Sequence, residues 1–282
     1  MGTTQRNHWL TNAALAGLLL AISGMGAEAS GGRIPIYQLP ITIGEPGAYY
    51  LSRDVTHTGG GESIIIQASD VTIDFDGHTL TKENAGNYAI ASDGDYTNIT
   101  IRNGKLVGGN IGIRLRNTVG DAFAVRIEDM IIEAALNEGI YVQGHSLVGS
   151  SQVYIERNII HDTGDDGVSL RYIWGGRVSD NVIQGAGDAV GAHGIYMSSC
   201  RGVTIARNTV SHCGDDAIRA WYSWYCAFDW NHMTYNNGYG LNLFDGDRHV
   251  FSNNRAYGNG SGGFTIPGAE GHVNAGGNYP SP

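Results

Sequence analysis

From residue 62 onward, apolar and polar positions alternate in runs too short for a helix, and the runs recur. Aligned on the apolar residue three places before a repeated asparagine, "YIERN", "RVSDN", "TIARN", "AFDWN" and "VFSNN" share one register with the earlier "VTIDFD", "ITIRNG" and "VRIEDM". The anchors are Ile73, Ile101, Ile127, Ile155, Val178, Ile205, Phe228 and Phe251, with steps of 28, 26, 28, 23, 27, 23 and 23 residues. A second apolar column runs through Ile113, Ile140, Val168, Ile195, Ile218, Leu241 and Phe264, usually preceded by glycine. Period-2 segments divided by Gly, Asn and Asp turns are strand patterning. Repeated about every 25 residues, they predict an all-β parallel solenoid with three short strands per coil. The leucine-heavy consensus of a leucine-rich repeat is missing.

The asparagines Asn158, Asn181, Asn208, Asn231 and Asn254 have a structural explanation. Turned inward at a bend, each can bond its copies above and below and satisfy turn backbone that burial would leave unpaired. About eight coils are expected over residues 62–266, after an opening strand and N-terminal cap over 30–61 and before a loose tail over 267–282. Residues 1–29 read as a signal peptide: one arginine in "MGTTQRNHW", an apolar run too short to span a bilayer, and the small-x-small site "AEA". A secreted or periplasmic protein follows, with no membrane span once the signal is removed.

Composition adds three constraints. Glycine, at 43 of 282 residues, is about twice its usual ~7% and fits a chain rich in turns. The net charge of -10 argues against a nucleic-acid partner. It also means that an acidic ligand must be held by local arginines or a bridging cation, not by long-range attraction. The three cysteines match no zinc-site spacing; Cys200 and Cys226 fall in neighbouring coils, where a disulfide is one option and a free Cys213 its corollary.

The tandem phrases "VTIARNTVSHCGDDAIRA" and "VYIERNIIHDTGDDGVSL", with the opening "VTIDFDGHTL", resemble the right-handed parallel β-helix proteins of the pectate-lyase-like superfamily. The resemblance spans residues 62–266 and implies a single-stranded right-handed solenoid. It leaves activity open, because lyases, hydrolases, epimerases, phage tailspikes and periplasmic proteins all use this repeat.

Candidate chemistry gathers where one phrase is spelled three times. "HDTGDDGVSL" (161–170) and "SHCGDDAIRA" (211–220) carry an acidic pair after glycine, and "GDAVGAHGIYM" between them carries histidine at the matching place. Coil stacking should set Asp166, His193 and Asp216 in a ladder with ~4.8 Å steps, the two acidic pairs roughly 9–10 Å apart. Strand parity then turns Arg114, Arg116, Tyr141, Arg171, Tyr196, Arg219, Trp221 and Asn242 outward on the adjoining sheet. Aromatic faces and polar groups suit a sugar chain, and arginine adds recognition of a carboxylate.

The expected catalytic residues are therefore His193, Arg219, Arg171, Tyr196, Asp166 and Asp216, with Arg114, Arg116, Tyr141, Trp221 and Asn242 binding substrate. A lyase or C5-epimerase acting on a uronate polymer must neutralise the sugar carboxylate and remove the C5 proton, which needs a base and nearby cations. His193, Tyr196 and the arginines are its candidates. Asp165, Asp166, Asp215 and Asp216 are candidate Ca²⁺ ligands that would bridge to an acidic substrate.

Two alternatives stand beside this. The phrase is similar to that of polygalacturonase-type inverting glycosidases, which implies an acidic pair at Asp165 and Asp166, a His-Gly motif at His193 and Gly194, and a substrate arginine at Arg219. The Asn-Thr-Asp motif of that family is replaced by "LNEG" at Leu136–Gly139. The other is a non-catalytic carbohydrate-binding or structural solenoid, favoured by a short chain without long groove-walling loops. A monomer is expected in each case. The aromatic stretch Trp221–Trp230 either walls the groove or packs over the core, and a histidine present only for chemistry would be dispensable to stability.

Overall fold

The computed structural model describes residues 32–280, except 85, 118–119, 121–122, 147–150, 188–189 and 267–270. The predicted signal peptide and Asp188 lie outside the described residues. The chain winds as a right-handed parallel β-solenoid with all its strands in two parallel sheets. Ten short strands form one sheet: Ile41–Ile43, Ile64–Ile66, Ile90–Asp93, Ile113–Arg116, Ile140–Gln143, Val168–Arg171, Ile195–Ser198, Ile218–Trp221, Tyr239–Phe244 and Gly262–Thr265. Nineteen strands form the other, which wraps the remaining sides of the coil.

Both apolar columns hold. Ile73 pairs Ile101, and the register runs on through Ile127, Ile155, Val178, Ile205 and Phe228 to Phe251. In the ten-stranded sheet, Ile113, Ile140, Val168, Ile195, Ile218, Leu241 and Phe264 pair in the same unbroken way. Apart from Phe264, half-covered at the end of the stack, these side chains are buried and fill one continuous core. Three strands per coil is the rule, as in Ser151–Glu156, Ile159–Thr163 and Val168–Arg171. In two coils the first pair fuses into a single long strand, Ile99–Gly108 and Phe123–Glu133, bent at the left-handed residues Asn103 and Asp129.

The asparagine column is a side-chain ladder. Each Nδ2 donates to the Oδ1 of the next coil at 3.0 Å, from Asn158 through Asn181, Asn208 and Asn231 to Asn254. The same Oδ1 accepts the backbone N–H of the asparagine before it, as in Asn158 N to Asn181 Oδ1 at 2.9 Å. Arg157, Asp180, Arg207, Trp230 and Asn253, each just ahead of an asparagine, sit at positive φ. For L-residues that conformation costs roughly 1–2 kcal/mol, so the ladder offsets the strain of a sharp corner.

Three expectations change. Residues 34–57, expected as a cap, already run in register with the coils: Ile34–Ile36 pairs Tyr49–Leu51, and Ile41–Ile43 opens the ten-stranded sheet. The tail is less loose than expected, since Val273 pairs Val250 and Tyr279 pairs Arg255, adding part of a last coil. The Cys200–Cys226 disulfide does not form, and all three cysteines are buried free thiols. Register explains this: one coil on, Cys200 meets Ser223, whose Oγ accepts the Cys200 N–H at 3.1 Å, so Cys226 lies in a different column.

Candidate functional site

The turn leading into the ten-stranded sheet stacks Asp166, His193 and Asp216 as expected. Asp166 Oδ1 accepts the His193 N–H at 2.9 Å, His193 Nδ1 accepts the Asp216 N–H at 3.2 Å, and Asp216 Oδ1 accepts the Tyr239 N–H at 2.7 Å. Each side chain thus caps the backbone of the next coil. Histidine can replace aspartate because its Nδ1 supplies the same acceptor, and the swap brings an imidazole into the row. Gly238 lets the Asp215–Asp216 pair close in, as a Cβ there would collide with both carboxylates.

The ladder begins one coil earlier than the acidic phrases indicated. Gly139 N–H donates to Asp166 O as Gly167 N–H donates to His193 O, which places Glu138 at the head of the row. The signal was present: Glu138, Asp166, His193 and Asp216 each stand two residues before an apolar-column member.

Burial sets the charges of this row. Asp166 is 5% exposed, and desolvation drives its carboxyl well above the usual aspartate range, with Asp165 and Glu138 adding to the rise. Desolvation also raises Asp165, Glu138 and Asp216; in Asp216 the bonds from Tyr239 N–H and Asn242 oppose it. His193 moves the other way, down to about 4, because burial disfavours the imidazolium more than nearby Asp215 supports it. The neutral ring, with Nδ1 already an acceptor, carries its proton on Nε2.

A cavity of about 280 Å³ opens beside the ladder. Asp165, Asp166 and His193 form one wall; Arg171, Tyr196, Arg219 and Trp221 form the floor and far rim. Tyr196 stacks on His193 with centroids 5.5 Å apart. Arg171 lies between the rings of Tyr141 and Tyr196, at 5.6 and 6.0 Å, with no ion pair among the described residues. Arg219 touches the acidic row only loosely, Nη1 to Asp216 Oδ2 at 3.8 Å, and its guanidinium lies over Trp221 and Phe244. Arg219 Nε and Asn242 Oδ1, on the two outward positions that follow Tyr196, are buried without a partner. Buried polar atoms of this kind mark a place built for a ligand or ordered water.

Other predicted residues do not join. Arg114 and Arg116 both pair with Asp93, at 3.5 and 3.3 Å, and lie rungs away from Tyr196. Asn242 is buried and holds Asp216 through Nδ2 at 2.8 Å. Tyr141 donates to Gln143 Oε1 at 2.6 Å and meets the cavity only through Arg171. The four aspartates do not converge on a cation: His193, Asp215 and Asp216 bring donor atoms within 4.8 Å of one another, and Asp165 and Asp166 stand outside that group. Both Asp216 oxygens are already engaged and a guanidinium lies 3.8 Å away. That set does not fit calcium, which takes six to eight oxygens.

A sequence profile described as "Right handed beta helix region" matches residues 172–278. The fold of this chain is a right-handed parallel β-helix. None of the curated proteins matches it by sequence. Among solved structures, an aspartate-to-alanine variant of the periplasmic alginate epimerase AlgG is similar, with a TM-score of 0.62 and 13% identity over 85% of this chain and 76% of that one. The Dettilon tailspike protein gives 0.60 and 12% identity, over 87% and 59%. The enzymatically active domain of bacteriophage CBA120 tailspike protein 2 gives 0.58 and 13% identity, over 84% and 41%. At these identities the likeness carries the fold alone.

Proposed function

We propose that this β-helix protein acts on an acidic polysaccharide, removing the C5 proton of a uronate unit, as a lyase or a C5-epimerase. The observation that carries this is the pair Arg171 and Arg219, set two rungs apart around Tyr196 in a chain of net charge -10. Arg171 makes no ion pair among the described residues and Arg219 reaches Asp216 only at 3.8 Å, so in so acidic a protein both are left to receive an anionic group brought by the substrate. An alginate epimerase shares this fold, and the predicted signal peptide supports export to where such polymers are found.

In this proposal Arg171 and Arg219 bind the uronate carboxylate, which acidifies C5–H and stabilises the charge that develops on its removal. Asp165, beside Arg171 on the cavity wall, accepts the proton; its raised pKa makes it a stronger base than a surface aspartate. The C5–H electron pair moves into the carboxylate as an enolate. In epimerisation C5 then takes a proton from the Tyr196 hydroxyl on the opposite face. In elimination the pair forms the C4–C5 double bond, and O4 departs with the Tyr196 proton. His193 donates from Nε2 to hold the sugar, so it serves as donor and not as base. No step runs through calcium.

One observation favours hydrolysis as a second reading. Asp166 holds a proton to unusually high pH, and Asp216, two rungs on, lies at the roughly 9–10 Å implied by strand spacing, close to the ~6.5–9.5 Å of inverting carboxyl pairs. Incubation with polymannuronate, polyguluronate and polygalacturonate, with and without a chelator, separates the two. C5 exchange with solvent deuterium, or absorbance of unsaturated uronate, is expected and should survive chelation. New reducing ends without either would mean hydrolysis; no change in any polymer would overturn catalysis on uronans.

A further inference from the structure

The same three coils that carry the ladder carry a second surface where they leave the ten-stranded sheet. Trp174 pairs Arg201, and Arg201 bridges Trp224, so these three stand on consecutive rungs. With Tyr172 and Tyr225 they line a cavity of about 520 Å³. The Arg201 guanidinium lies 4.8 Å from the Tyr225 ring and 5.9 Å from that of Trp174, and it has no ion pair among the described residues. Trp174, Trp224 and Tyr225 remain 37–43% exposed, a cost for side chains of this size. Tyr225 also holds a φ of 56° at the corner position that glycine fills one coil earlier, at Gly202.

We infer that this shelf is a second saccharide subsite, occupied by a distal stretch of the same acidic polysaccharide whose reacting unit sits by the ladder. This deepens the function proposed above and rests on the cavity beside His193 being a uronate site. Two observations commit the shelf to that occupant. Its chemistry repeats that of the cavity, a guanidinium laid against aromatic rings that, in Arg171 and Arg201, makes no ion pair among the described residues, which suits a sugar face carrying a carboxylate. The two surfaces are also continuous: Arg171 lines the first and its neighbour Tyr172 the second, while Trp221 on the cavity rim stacks on Tyr222, centroids 5.4 Å apart, two residues before Trp224. His193 and Arg201 are eight residues apart, so chain geometry limits the distance from ladder to shelf to about 28 Å. The bound polymer therefore runs along the strands and across the coil axis, over three coils, and turns the corner onto the shelf.

Arg201→Gln and Trp224→Ala test this, because neither side chain lines the cavity. Binding of long polymannuronate is followed by tryptophan fluorescence and calorimetry, and turnover is followed on a short oligomer confined to the cavity. Each variant should weaken polymer binding about tenfold, while kcat and KM for the short oligomer stay at wild-type values. Unchanged polymer affinity in the exposed Arg201→Gln variant overturns the subsite, whatever Trp224→Ala does to folding. An equal loss of affinity for a neutral glucan of matched length overturns the carboxylate assignment. If the protein turns over no uronan at all, the binding comparison still decides the shelf, so failure of the enzymatic proposal and failure of this one give different results.

Discussion

Aspartate and histidine exchange places in the ladder because each offers one unprotonated acceptor to the amide of the next coil. His193→Ala removes the acceptor of the buried Asp216 N–H and should cost about 1–3 kcal/mol. His193→Asn keeps an acceptor oxygen and should recover most of that loss while still lacking the imidazole. Urea unfolding of both variants is the check; an alanine variant as stable as wild type would remove the capping role. This reverses the expectation that a chemical histidine is dispensable to stability. The pH dependence has a definite sign. His193 and His249, both held at about 4, stay neutral while the unfolded chain protonates its histidines near 6.5, so their stabilisation is lost as pH falls from 6.5 towards 4. Raised Asp166 and Asp216 act oppositely, their contribution being present at low pH and lost as pH rises through their folded values. His193→Asn should therefore flatten the decline in melting temperature between pH 6.5 and 4. At this scale the sequence was only partly legible. Strand parity turned Arg114 and Arg116 outward correctly, yet it carried no sign of Asp93, the end of a neighbouring strand that neutralises both. Glu138 went unseen because a glycine–acid–acid phrase was followed instead of the place two residues before the apolar column.

At the level of the element, the asparagine ladder decides how sharply a coil can bend. Asn208 receives the Asn181 N–H and Nδ2 and donates to Val178 O and Asn231 Oδ1, all within the core. Asn208→Ala strips partners from several buried groups, each worth about 1–3 kcal/mol when left unsatisfied, so a loss of at least ~2 kcal/mol is expected. Chemical denaturation against an exposed control, Asn237→Ala, measures it; equal stability of the two variants would show that water replaces the ladder. Register was the most legible property of the chain, since from Ile155 to Phe251 apolar anchors and asparagines mark the coils independently and agree. Strand ends were less so. The fusion at Ile99–Gly108 depends on whether one corner residue breaks the hydrogen-bond run, and composition does not encode that.

Across the whole molecule, charge and ligand pull in opposite directions. A protein of net charge -10 repels a polyanion at long range, while Arg171, Arg219 and Arg201 attract it at contact. Salt of 0.15 M shortens the reach of exposed charges to about 8 Å, which relieves the repulsion of approach before it weakens contacts inside the cavity. Raising ionic strength from low values should therefore speed association with polymannuronate, as read by stopped-flow fluorescence; a steep fall in the association rate would point to a positively steered encounter instead. The coil repeat was legible in advance, but the extra turns at both ends and the neighbours of the charged residues, which decide this balance, were not.

Cys200, Cys213 and Cys226 are all sealed in the core as free thiols, and nothing in the architecture is cross-linked. The fold is held by stacked registers alone. Oxidative maturation is thus unnecessary, and no disulfide isomerase need attend its assembly on either side of a cell membrane.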